Sequence, residues 1–111
     1  MSKCEIWYMR PEYFGQGILG VEYCQQAGAL PNIRNLEATH VHLKDLDNYR
    51  DLENVWIYMQ GEVWSPNGEA RDLIKSKGLA HTSMSVGDII IADGHIWMVD
   101  NMGFELLGDV A

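Results

Sequence analysis

The sequence predicts a small α+β domain, in which two or three short helices pack on a mainly antiparallel sheet in the element order β-α-β-α-α-β-β. A dipeptide typical of a type I′ turn, Asp93-Gly94, separates two apolar runs and so predicts a C-terminal β-hairpin. Other segments show either strand-like alternation or helical spacing of apolar residues. A chain of 111 residues is long enough for one core and too short for two ordinary domains, so we expect a single domain over residues 1–111.

In the first half of the chain, two strands flank a short helix. Alternating side chains predict a strand over residues 3–9, which Pro11 ends or leaves at a sheet edge. The glycine-bearing segment that follows is expected to be a loop. A helix over residues 19–27 carries one apolar stripe, and Gly28 suits the left-handed position after it. A second strand is expected over about residues 38–44.

Two helices are expected before the hairpin. Residues 48–60 carry apolar side chains at i, i+3, i+4 and i+7, which predicts an amphipathic helix with Gly61 as its C-cap. The alternative is a buried strand over residues 55–59, because a short apolar run is ambiguous by periodicity. Residues 65–77 begin with a Ser-Pro pair suited to the N-cap and N1 positions and end before Gly78, which predicts a second short helix.

The hairpin is predicted to be apolar on both faces. Its strands are expected over residues 88–92 and 95–99, and the two-residue turn places Ile90 opposite Trp97. A hairpin with one solvated face would alternate apolar and polar residues, so we expect cover on both sides, from this chain's own helix or from a partner such as a second copy in a homodimer. The aliphatic residues of the other face are Ile89, Ile91, Ile96 and Met98.

The charge balance is strongly acidic and uneven. Sixteen acidic and eight basic residues give a formal net charge of −8, which disfavours direct binding to nucleic-acid phosphates or to acidic partners. Residues 78–111 contain five acids and no Lys or Arg. Such a surface suits mimicry of a nucleic acid towards a basic protein; the alternative is a solvated face that only aids solubility.

The cysteines and the chain start indicate the compartment. A domain of this size does not need a disulfide, and the start of the sequence lacks the apolar core and cleavage site of a signal peptide, so Cys4 and Cys24 are expected to be free thiols in the cytoplasm. No apolar stretch approaches the ~20 residues of a membrane span, so we expect no membrane partner.

His40 and His42 are the candidate metal ligands. Residues two apart on a strand project to the same side, so both imidazole rings could converge on one divalent ion. A zinc site needs three or four ligands, and the remaining donors fall at no recognised spacing. The alternative is that both histidines are polar residues of a half-buried strand, with no cofactor bound.

No complete catalytic set is visible, so we expect no catalytic residues. Pairs such as Ser83 with His81 lack the context of a known nucleophile motif. The glycines at 15, 17 and 20 match G-x-G-x-x-G, but the preceding strand ends too early and the chain is too short for a dinucleotide-binding fold. These glycines are better explained as turn residues of a loop.

The hairpin region resembles the YodL-like family of small domains found in bacterial mobile elements and phages. The matching residues are Ser83 to Ile90, then Ile96 to Asp100, then Gly103-Phe104, which look like the S-x-S-V-x-D-V signature followed by the family's aromatic, V-D and G-F positions. Gly87 stands where Ser is expected, and the first 45 residues have no counterpart. The resemblance implies a setting of mobile DNA, where small proteins often act by occluding a host enzyme.

These observations predict a non-enzymatic phage or mobile-element accessory protein that binds a host or phage protein. We expect it to act as an acidic inhibitor of a host defence or nucleic-acid-handling system, with contact to a basic surface. The alternative is a metal-binding domain or metal-dependent enzyme that uses His40 and His42. The predicted partner-binding residues are Asp45, Asp47, Asp51, Glu53, Asp88, Asp100, Glu105 and Trp97.

Overall fold

A computed structural model describes residues 3–110 and has a five-stranded, fully antiparallel sheet in the order β2-β1-β3-β4-β5. The predicted α+β class with a C-terminal hairpin is confirmed. A 3-10 turn over Leu36–Ala38 leads into the second strand. The elements in chain order are β1 (Cys4–Met9), α1 (Pro11–Gly17), α2 (Val21–Ala27), β2 (His40–Leu46), α3 (Leu52–Tyr58), α4 (Gly61–Trp64), α5 (Arg71–Ser76), β3 (Ile89–Ala92), β4 (His95–Val99) and β5 (Phe104–Asp109).

The predicted hairpin register is confirmed. Across the turn, Ala92 pairs with His95 and Ile90 pairs with Trp97. Asp93 has a φ of 53°, as a type I′ turn requires at its first central residue. β1 inserts between the hairpin and β2, so the first strand of the chain is an interior strand that pairs with β2 on one side and β3 on the other.

Both faces of the sheet are covered by the chain itself. Helices α3 to α5 and Leu79 cover the face that carries Ile6, Tyr8 and Ile90. Helix α2 and residues 29–36 cover the face that carries Ile89 and its neighbours. The two-sided cover expected from the hairpin is therefore supplied within one chain, and a homodimer stays a prediction.

The helix predictions are correct at the core-facing positions and less so at the ends. Val55 and Met59 are fully buried, as the predicted stripe requires, but the helix is shorter than expected and Gly61 begins α4 instead of capping α3. The last helix begins at Arg71, after a turn in which the Ser65 hydroxyl accepts from the Ala70 amide.

Three further elements differ from the sequence prediction, because the spacing of apolar residues does not reveal them. The expected loop after β1 is a helix with Pro11 at its first position, where the missing N–H costs nothing. β2 begins and ends two residues later than predicted. β5 was not predicted, because its acids and Gly108 interrupt the apolar alternation.

One glycine of the G-x-G-x-x-G match, Gly17, is a packing residue, whereas a Cβ on Gly15 would meet nothing within 4 Å. A Cβ on Gly17 would lie 2.1 Å from Cε of Met9, and one on Gly87 would lie 3.0 Å from the Gly17 carbonyl carbon. α1 therefore approaches the start of the hairpin closely only because both residues lack a side chain.

Candidate functional site

The two histidines predicted as metal ligands lie on β2 in different environments. His40 is fully buried; its Nε2 lies 2.8 Å from the Gly87 carbonyl oxygen and its Nδ1 lies 2.8 Å from the Thr39 hydroxyl. Because a carbonyl only accepts, Nε2 carries the proton and Nδ1 accepts from the hydroxyl. His42 is half-exposed, with its Nε2 2.7 Å from the Asp45 carboxylate. Both ring nitrogens of His40 are thus bound by the protein's own groups.

Metal binding at this strand stays a prediction. Over residues 3–110, no group of three or more His, Cys, Asp or Glu side chains is placed to hold a metal ion. Burial lowers the pKa of His40, so its ring is neutral, but an ion would have to displace the Gly87 or the Thr39 contact to reach a nitrogen.

Asp88, one of the predicted partner-binding residues, is fully buried at the start of β3 and does not lie on the surface. Its Oδ1 accepts from the Met9 amide at 2.8 Å, and its Oδ2 accepts from the Ser85 amide at 2.8 Å. The Nε2 of His81 lies 2.8 Å and 3.1 Å from the two oxygens. A carboxylate with this many donors connects β1, β3 and the preceding loop, which is a structural role.

His81 is held between aromatic rings. Tyr8 stacks on it at 4.5 Å with 10° between the planes, and Phe14 packs at 4.8 Å. The Tyr8 hydroxyl donates to the Thr82 carbonyl at 2.7 Å, and burial raises the pKa of this hydroxyl above its ordinary range. His81 borders a recess of about 150 Å³ whose other lining residues are Pro11, Phe14 and Ala80. Pro11, Phe14 and Ala80 carry no nucleophilic side chain.

Six acids lie around α3, a helix only about 10 Å long, whereas Glu22 and Glu105 line a separate recess together with Asp100. Three surface recesses border it, and each is lined by two carboxylates. The first lies between β2 and α3 and contains Asp45 and Asp47; the second lies between α3 and the hairpin turn and contains Asp51 and Asp93. The third contains Glu53 and Asp100. We call these six acids the acidic α3 surface.

The first recess contains a cation of its own. Lys44 lines it, with its Nζ 4.9 Å from the ring centre of Trp64 and 5.4 Å from that of Tyr58. Asp45 pairs with His42 at 2.7 Å. The positive charge and the aromatic contacts of this recess are supplied within the chain.

The second recess is also largely satisfied internally. Arg50 lines it and has its Nε 3.6 Å from Asp51, whose other oxygen caps α3 by accepting from the Asn54 amide at 2.7 Å. The Tyr49 hydroxyl donates to Asp93 at 3.2 Å. Contact with Asp93 is one of the causes, after burial, that raise the pKa of Tyr49 to about 12.

The third recess, which we call the α3–β5 groove, has a volume of about 420 Å³. Trp56 and Phe104 are its aromatic walls, and both are partly buried against the core. Asp100 uses Oδ1 to accept from the Val21 and Asn101 amides at 3.0 Å and 2.8 Å, which caps α2. The groove therefore combines apolar rings with carboxylates at the open end of the hairpin.

Two predicted residues lie away from this groove. Trp97 is half-buried and borders the second recess. Glu105 is exposed on the opposite face of the sheet, because its strand neighbour Phe104 faces the groove and side chains alternate.

Sequence reasoning missed several residues of the site. The sequence identifies Asp93 as a turn residue and as one of the five acids of residues 78–111, but it is not among the predicted partner-binding residues, and neither Trp56 nor Phe104 is predicted as a wall of the groove. The available signal for Phe104 was its place in the G-F part of the YodL-like pattern, and the signal for Trp56 was its size at the edge of a helical stripe.

Comparison of the chain with protein-family models, with curated proteins and with solved structures found no match. Membership of the YodL-like family therefore stays a prediction from the motif. Within residues 3–110, no helix is both long and apolar enough to cross a membrane.

Proposed function

We propose that the protein is a non-enzymatic accessory protein of a phage or other mobile element, which binds a basic surface of a host protein through its acidic α3 surface. Its carboxylates take the place of nucleic-acid phosphates on that partner. The observation that carries the proposal is the gathering of six carboxylates around one short helix. The mobile-element setting rests on the resemblance of the hairpin residues to the YodL-like pattern.

Electrostatics supports a protein partner over a nucleic acid. The formal net charge of −8 repels phosphates, whereas it accelerates the approach of a basic protein. Residues 78–110 add carboxylates without any Lys or Arg to neutralise them. An inhibitor that occupies a nucleic-acid site needs such a surface and no catalytic group.

The test compares two triple variants of equal charge. In the first, Asp47→Asn, Glu53→Gln and Asp93→Asn neutralise three of the six acids of the acidic α3 surface. In the second, Glu12→Gln, Glu37→Gln and Asp72→Asn neutralise three exposed acids that line none of the acidic recesses. Each triple removes three acids, so the formal net charge changes from −8 to −5 in both. The native protein and both variants are used to capture proteins from a bacterial lysate at low and at raised salt.

The proposal predicts a basic partner that binds at low salt, dissociates at raised salt and competes with duplex DNA. Capture should fall about five-fold or more in the first triple and change little in the second. Equal loss in both triples would assign the effect to net charge and contradict the proposal. It also fails if no basic protein is captured at low salt, or if DNA does not compete.

A further inference from the structure

The three recesses around α3 differ in their supply of cations. Lys44 lies in the first and Arg50 in the second. Among residues 3–110, no Lys, Arg or His side chain lines the α3–β5 groove. Of the three acidic recesses, the groove is thus the one whose positive charge must come from outside the chain.

The carboxylates of the groove can accept further hydrogen bonds. Among the described residues, none donates a hydrogen bond to the Glu53 side chain, and the donors to Asp100 all bind its Oδ1. Asp45 and Asp51 in the other recesses are already paired with His42 and Arg50. Glu53 and the second oxygen of Asp100 can therefore accept from a ligand without breaking an internal contact.

The aromatic walls favour one class of cation. Trp56 and Phe104 line the groove, and a cation placed over the face of an aromatic ring is attracted to it. A guanidinium is planar, stacks on aromatic rings, carries five donors for carboxylates and is weakly hydrated, whereas an ammonium is a compact, strongly hydrated charge. The volume of about 420 Å³ lies within the usual range of ligand pockets, about 300–1,000 Å³.

We propose that the α3–β5 groove is a receptor for an arginine side chain of the protein partner, with the guanidinium between Trp56 and Phe104 and its N–H groups donating to Glu53 and Asp100. The recess of Lys44 shows the same combination within the chain, since that ammonium lies over Trp64 and Tyr58. This assignment rests on the proposed function and names the group of the partner that the surface recognises.

The experiment uses a defined ligand and does not depend on finding the partner. The blocked tripeptide N-acetyl-Gly-Arg-Gly-amide is titrated into the ¹⁵N-labelled full chain at about 10 mM salt, where the screening length is about 30 Å. The matched peptide has citrulline in place of arginine, which keeps the shape and removes the charge. We expect shifts at the Trp56 indole and at the Val86, Gly103 and Phe104 amides with the arginine peptide alone.

Substitutions then locate the contact. Glu53→Gln and Asp100→Asn should each weaken arginine binding about two- to five-fold, the range of a partly exposed ion pair. Asp100→Asn keeps an Oδ1 that caps α2, and Glu53 is exposed, so both variants are expected to fold, which their spectra will verify. Glu12→Gln removes the same charge at an exposed acid of α1 that lines none of the acidic recesses, and it should leave binding unchanged.

The outcomes separate this inference from the broader proposal. The groove assignment is overturned if the arginine peptide at about 10 mM causes no shifts, because a site with a dissociation constant of ~1 mM would then be about nine-tenths occupied. Equal shifts with citrulline, or equal weakening by Glu12→Gln, would overturn it too. If the arginine peptide fails while the first triple still loses a basic partner, the acidic α3 surface is the contact and the groove is not its receptor.

Discussion

Two aspartates flank the open end of the hairpin and behave in opposite ways. Asp88, before β3, is fully buried and accepts from two amides and from His81. Asp100, after β4, is half-buried and uses one oxygen to cap α2, while its other oxygen is without a donor among residues 3–110. An aspartate is thus a structural hub at position 88, whereas the aspartate at position 100 can still accept a hydrogen bond from a ligand. Burial and the number of hydrogen-bond donors around each carboxylate cause this difference.

The largest expected effect is the loss of the buried hub. Asp88→Ala leaves the Met9 and Ser85 amides and the His81 Nε2 without their acceptor, so we expect the free energy of unfolding to fall by about 3–5 kcal/mol. Asp88→Asn should have a smaller effect, since one oxygen remains. Urea unfolding measures both variants. A loss below about 1 kcal/mol for Asp88→Ala would show that the hub is not structural.

The buried histidine near this hub makes stability depend on pH. Burial lowers the pKa of His40 below its ordinary value of 6.5, so below about pH 6.5 the unfolded chain binds a proton that the folded chain does not. Stability should therefore fall as the pH drops through this window, by up to about 1.4 kcal/mol per pH unit. Urea unfolding from pH 7.5 to 5 measures the slope. In His40→Gln the amide can still donate to the Gly87 carbonyl, and the dependence of stability on pH should be weaker by up to about 1.4 kcal/mol per pH unit. An equal slope in the variant would contradict the assignment of the pH dependence to His40.

The hydroxyl that anchors the ring beside the hub has a smaller effect. Tyr8→Phe keeps the stacking on His81 and removes the hydrogen bond to the Thr82 carbonyl. We expect a loss of about 1–2 kcal/mol in the free energy of unfolding, because the carbonyl lies in a partly buried site. Thermal and urea unfolding measure it. An unchanged stability would indicate that water replaces the hydroxyl.

The groove carboxylates should have the smallest effect on stability. Glu53→Gln and Asp100→Asn break no internal hydrogen bond that the new side chain cannot replace, so each should change the free energy of unfolding by less than about 0.5 kcal/mol. The same urea series measures them beside Asp88→Ala. A loss above about 1.5 kcal/mol in either variant would mean that its carboxylate is structural, and the contrast between the two aspartates would fail.

The hairpin was predictable because its information is local. The turn residues Asp93 and Gly94 set the register, and the pairing of Ile90 with Trp97 follows by counting. β5 and α1 were not predictable in this way, because β5 has no clear alternation and α1 is a helix of seven residues whose formation depends on packing.

The candidate site was likewise predictable in part. Its acidic composition could be read from the sequence, including Glu53 and Asp100 as partner-binding candidates. Their approach to one another could not, because these residues are 47 positions apart and meet only when α3 packs beside the end of β4. The sequence likewise grouped Asp88 with the surface acids, since charge alone does not distinguish a buried carboxylate from an exposed one.

By itself, then, the sequence determined the α+β class, the hairpin register, the apolar character of both hairpin faces and the excess of acid over base, because turn chemistry, periodicity and charge are local or additive properties. Only the tertiary structure decided which acids are buried, which are neutralised by a neighbouring Lys or Arg, and which face an aromatic groove. Those distinctions depend on contacts between residues far apart in the chain, such as Met9 with Asp88 or Val21 with Asp100.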